Sequence, residues 1–161
     1  MINNYKIYPA SNKDIIEVKN IVFSVLEEYG LKPNQEGIDD DLDDIETNYL
    51  NNNGFFGIIK NNNNNKILGT FALYKVDNDV CEIRKMYFLP SLRGKGWGKK
   101  VIKFLVTKAI ENGYKKIVLE TNQVLKEAIS LYEKCGFKKL ENYNLHSRCD
   151  QAYVLELIAI I

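Results

Sequence analysis

The segment running from Phe88 through Pro90 to Lys100 constrains this chain more than any other. A strand-patterned run stops at Pro90, and three glycines follow at Gly94, Gly96 and Gly98. Beyond them Val101, Ile102, Leu105, Val106, Ala109 and Ile110 recur at helical spacing. Glycines that open a helix directly after a strand bring bare backbone N–H groups to one point, where the helix dipole also favours negative charge. The neighbourhood is basic: eight Lys or Arg and one acid, Glu111, lie between Arg93 and Lys116. The loop is expected to cradle a phosphate or pyrophosphate.

Two familiar phosphate motifs do not fit. A P-loop needs glycine where Arg93 stands and a Ser or Thr after its lysine, but Lys100 follows Lys99. A dinucleotide fingerprint needs a third glycine where this chain has Lys99 or Val101, depending on which glycine starts the count. What does fit is Arg-x-x-Gly-x-Gly over Arg93, Gly96 and Gly98.

A second segment sharpens the reading. Ile117–Asn122 has the character of a short buried strand, and Leu125–Cys135 that of a helix ended by Gly136. Leu125, Ala128, Ile129 and Tyr132 fall on one helical face, which taken alone makes Tyr132 an ordinary core tyrosine. However, Ala128-Ile-Ser-Leu-Tyr-Glu-Lys-Cys-Gly-Phe137 also reads as A-x-x-L-Y-x-x-x-G-F. With the Arg-x-x-Gly-x-Gly loop before it, in that order and at that distance, the chain resembles the GCN5-related N-acetyltransferases (GNAT). The resemblance extends over roughly residues 5–160 as a pattern of elements and is sharp over 81–137.

The resemblance implies an α/β fold in a single domain over residues 1–161, with a mixed, mostly antiparallel sheet flanked by helices. It implies acetyl-CoA as co-substrate and an amine as acceptor. By the same resemblance Arg93, Gly94, Lys95, Gly96, Trp97, Gly98 and Lys99 form the pyrophosphate loop, with Trp97 packing beneath the cofactor or onto the sheet. The strand backbone of Met86, Tyr87 and Phe88 would pair with the pantetheine amides. Tyr132 would be the general acid toward the departing thiolate, since a phenol of pKa about 10 is protonated at neutral pH. The asparagine common seven residues before that tyrosine is Leu125 here, so either Asn122 supplies that CoA contact or the contact is missing.

Two carboxylates stand where family members carry a base. Glu82 lies eleven positions before Arg93, as in histone-type members, and Glu120 twelve before Tyr132, as in members acting on peptide N-termini. Glu82 ranks slightly ahead. Either can equally be a structural carboxylate paired with Lys or Arg, and a route through ordered water needs neither.

Bulk properties exclude other classes. The 161 residues, with 45% hydrophobic and 27% charged content, suit one soluble globular domain. The net charge of +1 gives no general attraction to nucleic acid or membrane. Cys81, Cys135 and Cys149 are odd in number and lack metal spacing, and the single histidine, His146, speaks against a His-based metal site or a Ser-His-Asp triad. No metal is expected. The N-terminus lacks an apolar signal region, so a cytoplasmic setting is the default. A homodimer is compatible with all of this.

Along the chain the expected order is β-α-α-β-β-β-α-β-α-β-β. Tyr5–Tyr8 begins it, Ser11-x-x-Asp14 caps a first helix ended by Gly30, and an acidic helix carries Leu42, Ile45 and Tyr49. Strands over Phe55–Ile59, Ile67–Tyr74 and Val80–Leu89 follow, the first two joined across the Asn61–Asn65 run, and Tyr153–Ile161 forms a last strand. The acceptor pocket is expected between Glu27–Glu46 and Asn142–Gln151. Residues 33–59 hold seven acids and no Lys or Arg, which is either a solvated face or a lure for a cationic amine. Arg148 is able to meet a carboxylate. The main reading is transfer of acetyl to a small primary amine. The alternatives are a peptide or protein N-acetyltransferase and a catalytically silent CoA-binding sensor, with nucleic-acid binding the remote case.

Overall fold

The computed structural model of the protein describes residues 4–146 and 148–157. Its elements are β1 (Tyr5–Pro9), α1 (Ile15–Glu28), β2 (Phe55–Asn61), β3 (Lys66–Lys75), β4 (Val80–Phe88), α2 (Trp97–Glu111), β5 (Lys116–Thr121), α3 (Lys126–Lys134), β6 (Lys138–Leu140) and β7 (Gln151–Glu156). They build one seven-stranded sheet in the order β1-β2-β3-β4-β5-β7-β6. Every neighbouring pair is antiparallel except β4 and β5, which run parallel because α2 carries the chain back across the sheet between them. This is the mixed, mostly antiparallel α/β sheet expected.

Strand alternation supplies the two cores. Along β2, Phe55 and Ile59 pack with Trp97, Val101, Leu105 and Tyr132 on the α2 and α3 face, whereas Phe56 and Ile58 pack with Val18, Val22 and Leu26 on the α1 face. The hairpin from β2 to β3 turns through the asparagine run, where Asn65 takes a positive φ of 63° that asparagine tolerates.

Helix α1 starts as anticipated. After Ser11, whose N–H donates to the Asp14 carboxylate at 2.9 Å, a short 3-10 turn leads into the helix. At its far end Gly30 adopts φ 72°.

The acidic helix does not form. In its place are a 3-10 turn over Asp40–Asp43 and a π-helical turn over Glu46–Leu50. Leu42, Ile45 and Tyr49 are nevertheless fully buried, as their spacing implied. The break falls at Asp44, whose carboxylate accepts the N–H of Thr47 at 3.0 Å and so begins a new turn. Asp39 and Asp41 are also drawn inward to buried cations, which a continuous helix with a solvated acidic face would not permit. The last strand is β7, ending at Glu156; residues 158–161 of the expected strand lie outside the described residues.

Candidate active site

Strand β4 is paired with β3 as far as Phe88, but it meets β5 only over Val80–Glu82 against Lys116–Val118. Beyond Glu82 the two parallel strands part, while β5 stays fully paired with β7 on its other side. A cleft of about 280 Å³ opens in the gap. A register shift in β3 opposite Lys85, which takes a positive φ of 52°, marks a bulge in β4 at this point. The Thr70 hydroxyl anchors it by donating to the Lys85 carbonyl at 2.7 Å. The departed edge of β4, including Met86, Tyr87 and Phe88, lines the cleft.

One end of the cleft is the glycine loop. Leu89 leads into a 3-10 turn over Pro90–Leu92, after which Gly94 and Gly96 take φ values of 74° and 81° and Gly96 caps α2. The first N–H groups of a helix have no partner within it. A Cβ built on Gly94 or Gly96 would meet no heavy atom within 4 Å, so it is their positive φ rather than crowding that calls for glycine. At Gly98 the situation differs: a Cβ there would lie 2.5 Å from Leu131 Cδ2, so this glycine lets α2 and α3 approach. Gly94, Gly96, Trp97 and Gly98 line the cleft, although Trp97 is largely buried and tilted against Tyr5 at 6.5 Å.

The basic side chains of the loop point elsewhere. Arg93 holds Glu28 at the end of α1 through two hydrogen bonds of 2.6 and 2.9 Å, and its Nε donates to the Phe88 carbonyl at 3.0 Å. It ties the loop to α1. Lys95 donates to the Ser91 carbonyl at 2.8 Å and lies over the Tyr5 ring. Neither Lys95 nor Lys99 is among the residues lining the cleft.

Tyr132 lies on the cleft wall, on α3, packed against Phe137 with ring centroids 5.9 Å apart. Burial, reinforced by neighbouring Tyr87, pushes its phenol well above the ordinary value of 10, so the hydroxyl stays protonated at any physiological pH. Asn122 also borders the cleft, but its amide serves local structure. It donates to the Arg148 carbonyl at 3.0 Å and accepts from the Val124 N–H at 3.1 Å.

The two glutamates come together. Glu82 is buried, which raises its carboxyl, and the Arg84 guanidinium 2.7 Å away opposes that rise. The Glu120 side chain is only 6% exposed and is gripped from one residue. The His146 N–H donates to its Oε1 at 2.7 Å, and the ring Nδ1 lies 2.8 Å from Oε2. Arg84 in turn stacks on Tyr74 with its guanidinium 3.7 Å from the ring centroid.

Beyond these groups a second recess of about 400 Å³ is bordered by Asn34, Gly37, Ile38, Asp40, Arg84 and His146. Ile38, Arg84 and His146 border both spaces. The segments expected at the acceptor pocket therefore do meet there. Arg148 meets a carboxylate, but it is that of Asp39, held at 2.6 and 2.9 Å. Lys85 joins the same buried group, 3.1 Å from Asp39 and 3.2 Å from Asp41, and Tyr49 donates to Asp41. These aspartates are structural counter-ions.

Sequence reasoning missed Arg84 and His146. Arg84 was within reach, since it lies two residues from Glu82 on one strand and so shares its face. Nothing in the sequence pairs His146 with Glu120 across 26 positions.

Known proteins resemble the chain throughout. The profile of the acetyltransferase (GNAT) family matches residues 21–137. An uncharacterized N-acetyltransferase of Escherichia coli, YjgM, is 43% identical over 93 residues, 55% of this chain and 55% of that protein, so the match spans about half of the relative's length. An acetyltransferase of the GNAT family from Staphylococcus aureus Mu50 superposes with a TM-score of 0.88 at 24% identity, covering 95% of this chain and 99% of the other. A predicted acetyltransferase from Clostridium acetobutylicum, solved with acetyl-CoA, gives a TM-score of 0.73 at 26% identity over 89% of this chain and 96% of its own.

Proposed function

Because the chain belongs to the acetyltransferase (GNAT) family, we propose that it moves the acetyl group of acetyl-CoA directly onto a primary amine of a small molecule. The observation carrying this reading is the parting of β4 from β5 after Glu82, with the glycine loop at one end of the gap and Tyr132 on its wall. A strand edge with unpaired N–H and C=O groups suits the two amides of pantetheine. The open amides of Gly94–Lys99 suit a pyrophosphate. The residues present thus fit acetyl-CoA, the ligand of the Clostridium structure.

The backbone does most of the holding. Met86, Tyr87 and Phe88 pair with the extended arm and offer an N–H toward the thioester oxygen as it gains charge. Asn122, Leu125 and Leu131 close the α3 side. Tyr132 gives its proton to the sulfur as the C–S bond breaks; its burial keeps that proton in place until a thiolate is present to take it. The recess at Arg84 and His146 receives the amine, and at about 400 Å³ it has the dimensions of a small-molecule site.

The test is thiol release. Purified protein with acetyl-CoA should liberate free CoA when a small primary amine that fits the recess is added. Tight binding of acetyl-CoA without release for any member of a broad amine panel would contradict the reading and indicate a sensor.

A further inference from the structure

We infer that the group accepting the acceptor's proton is the His146 imidazole, held in place by Glu120, and this rests on the acetyl-transfer reading above. The geometry is specific. Glu120 is almost wholly buried on β5, and both its oxygens are occupied by one residue of the connection between β6 and β7. An ionised carboxylate only accepts, so the His146 Nδ1 must carry the hydrogen, and Nε2 is left as the basic nitrogen. Nε2 has no hydrogen-bond partner among the described residues, and His146 borders both the cleft and the recess beside it. The residue thus stands where the cleft and the recess adjoin.

The alternatives are less free. Glu82 sits with its carboxyl raised by burial, but its Oε1 is already taken by Arg84 Nε at 2.7 Å. Glu120 has each oxygen engaged by His146. Its work is to hold the tautomer and to balance the charge His146 gains, which makes it a positioning residue. The charged and titratable groups that share these spaces with His146 or act on its glutamate neighbours are Glu120 on β5, Glu82 and Arg84 on β4, Asp40 across the recess, and Tyr143, Arg148 and Cys149 on the connection itself. Of these, Arg84 and Arg148 already have carboxylate partners.

Protons and bonds balance as follows. His146 Nε2 takes one proton from the acceptor ammonium, which leaves a neutral amine. The nitrogen lone pair forms the N–C bond to the acetyl carbon, and the C–S bond breaks with its electron pair going to sulfur. Tyr132 gives sulfur its proton and is restored, through solvent, by the second proton lost from nitrogen. His146 then returns its proton to bulk water.

Because His146 is the chain's single histidine, nitrogen-correlated NMR reads its ring without ambiguity. At alkaline pH the wild type should show Nδ1 protonated and Nε2 bare. Glu120→Ala should return the ring to the ordinary mixture of tautomers, whereas in Glu120→Gln the amide oxygen meets the His146 backbone N–H and the NH2 left opposite Nδ1 should donate to it and favour Nε2–H. In turnover His146→Gln should lose roughly 10²-fold or more in kcat/KM and flatten the acidic limb of its pH profile, leaving acetyl-CoA binding unchanged. Glu120→Gln, with Nε2 carrying the hydrogen, should fall close to His146→Gln. An Nε2–H ring in the wild type, a tautomer indifferent to Glu120→Ala, or full turnover in His146→Gln would each overturn the assignment alone. Absence of thiol release from the wild type with every amine would overturn the acetyl-transfer reading and this assignment together.

Discussion

At one end of the cleft, six consecutive residues, Gly94–Lys99, offer backbone N–H groups, and the side chains that could add charge turn away to Glu28 and Ser91. At the other end, four segments far apart in the chain contribute side chains. Asp39 and Asp40 come from the turn after α1, Glu82 to Lys85 from β4, Glu120 from β5, and His146 and Arg148 from the last connection. The first end is built from main-chain geometry and would bind the same group whatever the acceptor. The second is built from ion pairs spanning up to 109 positions, and it changes with any one of its members. A constant co-substrate and a particular acceptor call for this division, since backbone amides recognise a phosphate without side-chain identity.

The comparison can be broken most severely at Asp39. It is fully buried and serves two cations, so Asp39→Ala should leave Arg148 uncompensated and Lys85 with Asp41 alone, and lower the stability of the fold by about 3–5 kcal/mol. Denaturant unfolding checks this, and the variant should detach the acceptor end first. Burial alone would raise the Asp39 carboxyl, but Arg148, Lys85 and the Asn34 N–H outweigh it and bring it from 3.8 to about 2. Since the folded value is depressed, the associated stability is complete above about pH 4 and is lost as pH falls toward 2. Asp39→Asn should flatten that part of the acid unfolding curve.

Tyr132 stands between the two ends and should separate chemistry from binding. Tyr132→Phe is expected to lower turnover by about 10²–10⁴-fold while acetyl-CoA affinity stays nearly unchanged. Equal turnover in the two proteins, under conditions where transfer limits the rate, would remove the acid role.

At the backbone end, Gly96→Val forces a branched side chain into φ 81° and so distorts the loop that carries the amides. Calorimetry should show acetyl-CoA bound more than tenfold more weakly, with circular dichroism close to wild type and stability lower by about 1–3 kcal/mol from the backbone strain. Unchanged affinity would mean that the pyrophosphate is held elsewhere.

The smallest effect belongs to Arg93. Its partner Glu28 is partly exposed, so Glu28→Ala should leave stability nearly unchanged and cost only a few-fold in acetyl-CoA affinity. A loss as large as that of Gly96→Val would show that the arginine, rather than the backbone, governs the loop.

The same division explains what could be read from the sequence. The glycine loop, α2 and Tyr132 were legible because their interactions are local: glycines for φ near 80°, a 3.6-residue repeat, a tyrosine at a fixed helical position. The sheet was legible from strand alternation, with α2 making the parallel step. The acidic segment was misread as a helix because its periodicity is helical while its fate depends on Lys85 and Arg148, remote in sequence. His146 was passed over for the same reason, since its meaning comes from a buried carboxylate on another strand. The widening between β4 and β5 depends on where pairing stops, which residue type alone does not encode.

Amide hydrogen exchange with and without CoA tests the division most directly. The account predicts slowed exchange on CoA binding over Met86–Phe88 and Gly94–Lys99, with residues 34–43 and 142–150 exchanging as before. Protection concentrated in residues 34–43 and 142–150, with the glycine loop unaffected by bound CoA, would contradict it.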